Sequence, residues 1–216
     1  MLARSILPLK KEYRCLKTNI NSFDELIGGG IPKGKILELT GEPDTGKTRL
    51  LFDIIESLKN EEVLIAYIAT STKSLGFLEA RGLSNSNNLT LCITNDETEI
   101  IDFIKSAIKV VDLFIIDTMP DILTENEKHG FDMNVNQDMP KLLRTLNTIM
   151  YGEDAALIAV NHLTFKNNEN VSRWRNIFQQ YCAIRVEVHA DNNLKLLSHK
   201  LQPKLVGGLK NELRMG

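Results

Sequence analysis

Cysteine is scarce: Cys15, Cys92 and Cys182 are odd in number and far apart in a chain of 216 residues. That excludes a disulfide framework and the paired spacing of a zinc site, and points to a reducing compartment. Excess charge is missing too. Against 28 acidic residues stand 26 basic ones, a formal charge of −2, so no global basic field advertises nucleic acid and any such contact has to be local. No apolar run approaches the ~20 residues of a membrane span, and the N-terminus lacks the apolar centre of a signal peptide. A soluble, intracellular protein that keeps clear of membranes is the expectation. Internal repeats and low-complexity tracts are absent. What remains is ordinary globular composition, 43% hydrophobic and 25% charged, enough for one substantial core.

The stretch Lys35 to Thr48, KILELTGEPDTGKT, is where chemistry enters. A short apolar run, Ile36, Leu37 and Leu39, breaks into Gly41, Glu42, Pro43, Asp44, Thr45, Gly46, Lys47 and Thr48. Arg49 then opens an amphipathic segment with apolar residues at Leu50, Leu51, Ile54, Ile55 and Leu58. A strand, a glycine-bearing turn and a helix joined by G-x-x-x-x-G-K-T is the pattern of a phosphate-binding loop. Successive main-chain N–H groups make an anion nest, and the helix N-terminus adds its dipole. Lys47 reaches the β- and γ-phosphates, and the Thr48 hydroxyl ligates Mg²⁺. Residues 41–49 are therefore the candidate nucleotide-binding set.

The rest of the chain alternates in the same way. The patterning predicts strands over Val63 to Ala69, Thr90 to Thr94, 110–118 and Ala155 to Asn161. Helices are predicted over Ile20 to Ile27 (capped by Asn21 or Ser22), Ser74 to Leu83, Glu97 to Val110 and Met139 to Met150. Strands alternating with helices imply an α/β fold with a mostly parallel sheet flanked by helices. Beyond residue 182, AIRVEVH and LKLLSHK flank Asp191-Asn192-Asn193 and predict an antiparallel hairpin.

Asp117 ends an apolar strand, where open α/β sheets place their ligands, and is the candidate Mg²⁺ acid beside Thr48. The strand ending Tyr67-Ile68-Ala69-Thr70-Ser71-Thr72 is taken to lie beside the phosphate loop, yet carries no carboxylate to activate water. Asn161 and His162 follow the fifth strand and are candidates to sense a γ-phosphate. Residues 164–176, TFKNNENVSRWRN, form a polar loop with Lys166, Arg173 and Arg175 around Trp174. Three readings fit it: single-stranded nucleic acid, a protein interface, or a tryptophan that packs inward.

The order of motifs, SFDELIGGGIPKGKILELTGEPDTGKT, then VVDLFIIDT, then ALIAVNHLT, resembles the RecA-like recombinase family over residues 20 to about 203. Within it the chain is most similar to the recombinase paralogues. Asn161-His162-Leu163-Thr164, Ser172-Arg173-Trp174 and Gln202-Pro203 resemble the eukaryotic D-type paralogue, and Ala69 and Ser71 stand where strand-exchange members carry acids. The resemblance implies residues 1–19 as an arm, 20–203 as a RecA-like ATPase core and 204–216 as a tail. It implies ATP and Mg²⁺ as cofactors, weak hydrolysis, and accessory work in homologous recombination and DNA repair. Other paralogues and the main recombinase filament would be the partners in a hetero-oligomer with weak single-stranded DNA binding, nuclear in a eukaryotic cell and otherwise cytoplasmic. The first DNA loop of the family would fall in Asp121 to Asp138, which is acidic here. An autonomous DNA-dependent ATPase or strand-exchange enzyme, RadB-like or RecA-like, is the alternative.

Overall fold

The computed structural model describes residues 13–122, 135–166, 169–172, 174–190, 193–206 and 212–214. The strands are β1 (Cys15–Leu16), β2 (Ile31–Pro32), β3 (Ile36–Thr40), β4 (Ile65–Ala69), β5 (Leu89–Ile93), β6 (Leu113–Asp117), β7 (Ala156–Val160), β8 (Leu163–Lys166), β9 (Glu169–Ser172), β10 (Ile184–Val188), β11 (Asn193–His199) and β12 (Glu212–Arg214). The helices are α1 (Asn21–Leu26), α2 (Lys47–Ser57), α3 (Leu75–Ala80), α4 (Glu97–Ala107), α5 (Val135–Met150) and α6 (Arg175–Tyr181). The central sheet has eight strands in the order β12-β11-β10-β3-β7-β6-β4-β5. From β10 to β5 the pairs are parallel, and β11 and β12 add antiparallel strands to the β10 edge.

Strand alternation divides the apolar residues into two cores. Leu37, Leu39, Ile65, Tyr67, Ile115, Ile158 and Val186 face one way and pack with α1, α2 and Leu78 of α3. Ile36, Ala66, Ile68, Phe114, Ile116, Leu157 and Ala159 face the other way, onto α4, α5 and Phe178 of α6. A parallel sheet covered on both faces needs such near-continuous apolar strands, because neither face meets water. β3, β4, β6 and β7 are buried at every position. The expected α/β architecture and the hairpin beyond residue 182 are both present.

Three expectations are corrected. β4 does not neighbour the phosphate-loop strand: β3 lies between β10 and β7, and β7 and β6 separate it from β4. Apolar runs of equal length carry no information about their neighbours, so order was invisible in the pattern. Residues 164–176 are not a loop. β8 and β9 pair antiparallel, Leu163 with Ser172 through Lys166 with Glu169, and α6 begins at Arg175. Neither Asn21 nor Ser22 caps α1. The residue at the cap is Ile20, with no side-chain cap. Asp24 in the first turn reaches back instead, accepting the Thr18 N–H at 3.1 and 3.0 Å and the Thr18 hydroxyl at 2.9 Å.

One corner of the molecule is pinned by a histidine. His199 is 2% exposed. Its Nδ1 accepts the Gln202 N–H at 2.9 Å, and its Nε2 lies 3.0 Å from the Ile27 carbonyl oxygen, with the Tyr13 hydroxyl at 3.3 Å. The neutral ring protonated on Nε2 satisfies both main-chain partners; a proton added on Nδ1 would face the Gln202 N–H donor. Burial holds the imidazole below its usual 6.5. The unfolded chain therefore takes up this proton first as pH falls, so the contribution is complete above 6.5 and is lost as pH drops through the folded value. Urea midpoints measured between about pH 8 and 5 should fall on the acid side, and His199→Gln should flatten that fall.

Candidate functional site

The turn between β3 and α2 is shaped by close approach. A Cβ on Gly41 would sit 2.4 Å from the Val188 carbonyl oxygen and 2.8 Å from Thr45 Oγ1. Only glycine fits there. Gly46 caps α2 at φ 95° and, having no side chain, makes no side-chain cap. The Thr45 hydroxyl donates to the Glu42 carbonyl at 2.9 Å and holds the turn in its curl. Lys47, 5% exposed, donates through Nζ to the carbonyls of Gly41 at 3.0 Å and Glu42 at 2.6 Å. Burial depresses its ammonium to about 8, opposed by the charges of Asp117, Asp44 and Glu42. An ammonium held this way by burial favours a ligand that brings negative charge.

Asp117 closes the site from β6. Its Oδ2 accepts the Tyr67 hydroxyl at 2.5 Å and the Thr48 hydroxyl at 3.1 Å. Its Oδ1 is buried and has no hydrogen-bond partner among the described residues. Burial raises the carboxyl above its ordinary value, while the bonds from Tyr67 and Thr48 and the proximity of His162 and Lys47 pull it down. An unpartnered buried carboxylate oxygen costs free energy unless a ligand takes it up. Together with the Thr48 hydroxyl it fits Mg²⁺, which binds through one or two protein oxygens plus substrate phosphates and water. Among the described residues no group of three or more His, Cys, Asp or Glu gathers to hold a metal, so a metal cage built from protein ligands alone has no candidate there.

Both halves open onto one cleft of about 760 Å³. Lys47, Thr48, Asp117 and His162 are among its polar lining residues, and Phe52, Phe77 and Ala80 among its apolar ones, with Arg81 over the Phe52 ring. Phe77 is 66% exposed. Where β4 runs out over the cleft the lining residues are Ser71, Lys73 and Ser74, and none is an acid. Thr70 ties this end to the neighbouring strand, its Oγ1 accepting the Thr118 N–H at 2.6 Å and donating to the Thr118 carbonyl at 2.9 Å.

Of the sequence candidates, the structure brings Pro43, Asp44, Gly46, Lys47, Thr48, Arg49, Asp117 and His162 to this cleft. Asn161 is elsewhere. It is fully buried, its Nδ2 donates to Glu38 Oε1 at 2.8 Å, and its Oδ1 accepts the His162 N–H at 2.8 Å. Trp174, half-buried at φ 53°, packs against the α4–α6 core and does not line the cleft. Arg175 is exposed at the start of α6, Lys166 ends β8, and Arg173 lies outside the described residues, as does most of Asp121 to Asp138. Sequence reasoning missed Tyr67 and Glu38. Each is a lone polar group in an apolar strand run, and a buried phenol or carboxylate needs a partner; that need was the available signal.

Comparison with known proteins gives a consistent picture. The family model of the ATPase KaiC matches residues 16–184. RecA of Sulfurovum sp. (strain NBC37-1) is 26% identical over 195 residues, 83% of this chain and 56% of its own length. RecA of Sulfurimonas denitrificans is 24% identical over 207 residues, 89% and 59% respectively. RecA of Phytoplasma mali is 26% identical over 211 residues, 88% and 62%. The chain thus spans between half and two thirds of these curated relatives.

Asp117→Asn removes a buried charge and keeps the shape. Thermal unfolding should show the variant more stable than the parent at neutral pH. Its Mg²⁺-dependent gain in nucleotide affinity should fall on the order of tenfold or more, read by calorimetric titration.

Proposed function

Because the chain belongs to the RecA-like ATPase family whose KaiC model it matches over residues 16–184, we propose that it binds ATP with Mg²⁺ as an accessory of homologous recombination and DNA repair. The triphosphate sits on residues 41–49, with Lys47 on its outer phosphates. Thr48 and Asp117 hold the metal, and the base lies against Phe52 and Phe77 in the same cleft. The single observation that carries this reading is that one cleft is lined both by a buried ammonium, depressed by burial, and by a carboxylate whose Oδ1 has no hydrogen-bond partner among the described residues.

The accessory role is supported by what ends β4. A water-activating carboxylate there would speed hydrolysis, and this chain has Ser71, Lys73 and Ser74. Nucleotide binding would then govern assembly more than turnover. Its partners are other recombinase paralogues and the main recombinase filament in a hetero-oligomer, with weak single-stranded DNA contact through the β8–β9 hairpin and Arg173 to Arg175. The nucleus is its place in a eukaryotic cell. His162, which lines the cleft, is the candidate to report the γ-phosphate, with Asn161 holding its main chain.

A second reading has one observation in its favour. Asp121 also lines the cleft, and its Oδ2 accepts the Thr118 hydroxyl at 3.1 Å. A carboxylate so placed suits an autonomous DNA-dependent ATPase. Steady-state hydrolysis with and without single-stranded DNA separates the two: slow turnover indifferent to DNA supports the accessory, and strong stimulation that Asp121→Asn abolishes supports the motor. In either case Lys47→Ala should lose ATP affinity by roughly tenfold to hundredfold while remaining folded by circular dichroism. Unchanged affinity would refute the site.

A further inference from the structure

Tyr67 is the largest fully buried side chain of the molecule among the described residues. β4 pairs β6 in parallel with Ala69 opposite Asp117. Tyr67, two residues earlier on the same face, is therefore the diagonal neighbour of the acid, within reach of a long side chain. Its ring also touches Phe52 of α2, with centroids 5.9 Å apart. The phenol thus joins three elements of the site: the strand that ends over the cleft, the strand that carries the acid, and the helix that begins with Lys47 and Thr48.

We propose that Tyr67 is the positioning residue of the metal site, its hydroxyl fixing Oδ2 of Asp117 so that Oδ1 is kept for a divalent cation. A hydroxyl in an apolar core is costly unless it is bonded, and this one donates to Asp117 Oδ2 at 2.5 Å. The other donor to that oxygen, Thr48 Oγ1 at 3.1 Å, belongs to a residue that is itself a candidate ligand. The phenol is the donor to Asp117 that does not depend on how Thr48 turns. Rotating the carboxylate would break both bonds to Oδ2, and the oxygen left without a partner among the described residues is Oδ1. Groups that orient a metal ligand in this way contribute about tenfold or more to metal affinity without touching the ion.

This inference rests on the nucleotide reading above, and the experiment separates their failures. ATPγS is titrated calorimetrically into the parent chain and into Tyr67→Phe, once with EDTA and once with Mg²⁺. The quantity read is the ratio of the two affinities. Tyr67→Phe should bind ATPγS in EDTA as the parent does, within about twofold, and should lose roughly tenfold of the Mg²⁺ enhancement. Ile115→Val, which trims the core beside Tyr67 and leaves its hydroxyl alone, should match the drop in melting temperature and keep the full enhancement. That control tells positioning from general loosening. Where the Phe variant does not fold, Tyr67→Met refills the space with a flexible side chain and carries the same expectation. A parent enhancement retained in full by Tyr67→Phe or Tyr67→Met overturns the role of Tyr67 and leaves the nucleotide site standing. A parent chain that binds no ATPγS under either condition overturns both.

Discussion

The site depends on keeping two opposite charges buried and close without letting them neutralise each other by contact. Lys47 is held by two main-chain carbonyls of its own loop, and Asp117 by two hydroxyls. Burial pushes each group toward its neutral form, and the other's charge resists that push. A directly bonded pair would have quenched both groups. Neutral polar partners instead leave an ammonium that gains from a phosphate and a carboxylate oxygen that gains from a cation.

The sheet explains how such an arrangement is held. β3 delivers the phosphate loop and β6 the acid, with β7 between them, so the gap is set by main-chain pairing and not by flexible side chains. Beneath β3 and β7 a buried polar group does similar work. Glu38, at the middle of β3, accepts from Asn161 just past β7 and from Arg185 Nε near the start of β10, linking the three strands. Removing Arg185 would take the countercharge away from a buried carboxylate, which makes this link costly to break.

Much of this was legible beforehand, for definite reasons. The phosphate loop, Thr48 and Asp117 follow from residue types at fixed spacing, and main-chain geometry leaves little choice about where they go. Alternating elements and the β10–β11 hairpin follow from periodicity and from turn residues. Strand order did not, because Ile65–Ala69 and Ala156–Val160 are equally apolar and either would pass as a neighbour of β3. The β8–β9 hairpin was missed because its pairing is carried by main-chain groups in a polar stretch without apolar alternation. Asn161 was placed at the right height on its strand, yet the side it faces depends on Glu38, 123 residues earlier. Partners that distant leave no local trace.

The contact between Gly41 and the carbonyl of Val188 has a mechanical side. With no slack for even one methyl group, the start of the phosphate loop and the end of β10 form a single bearing surface. β10 in turn carries β11 and β12, the outer edge of the sheet. Any side chain at position 41 would therefore have to part the loop from the strand that carries this rim.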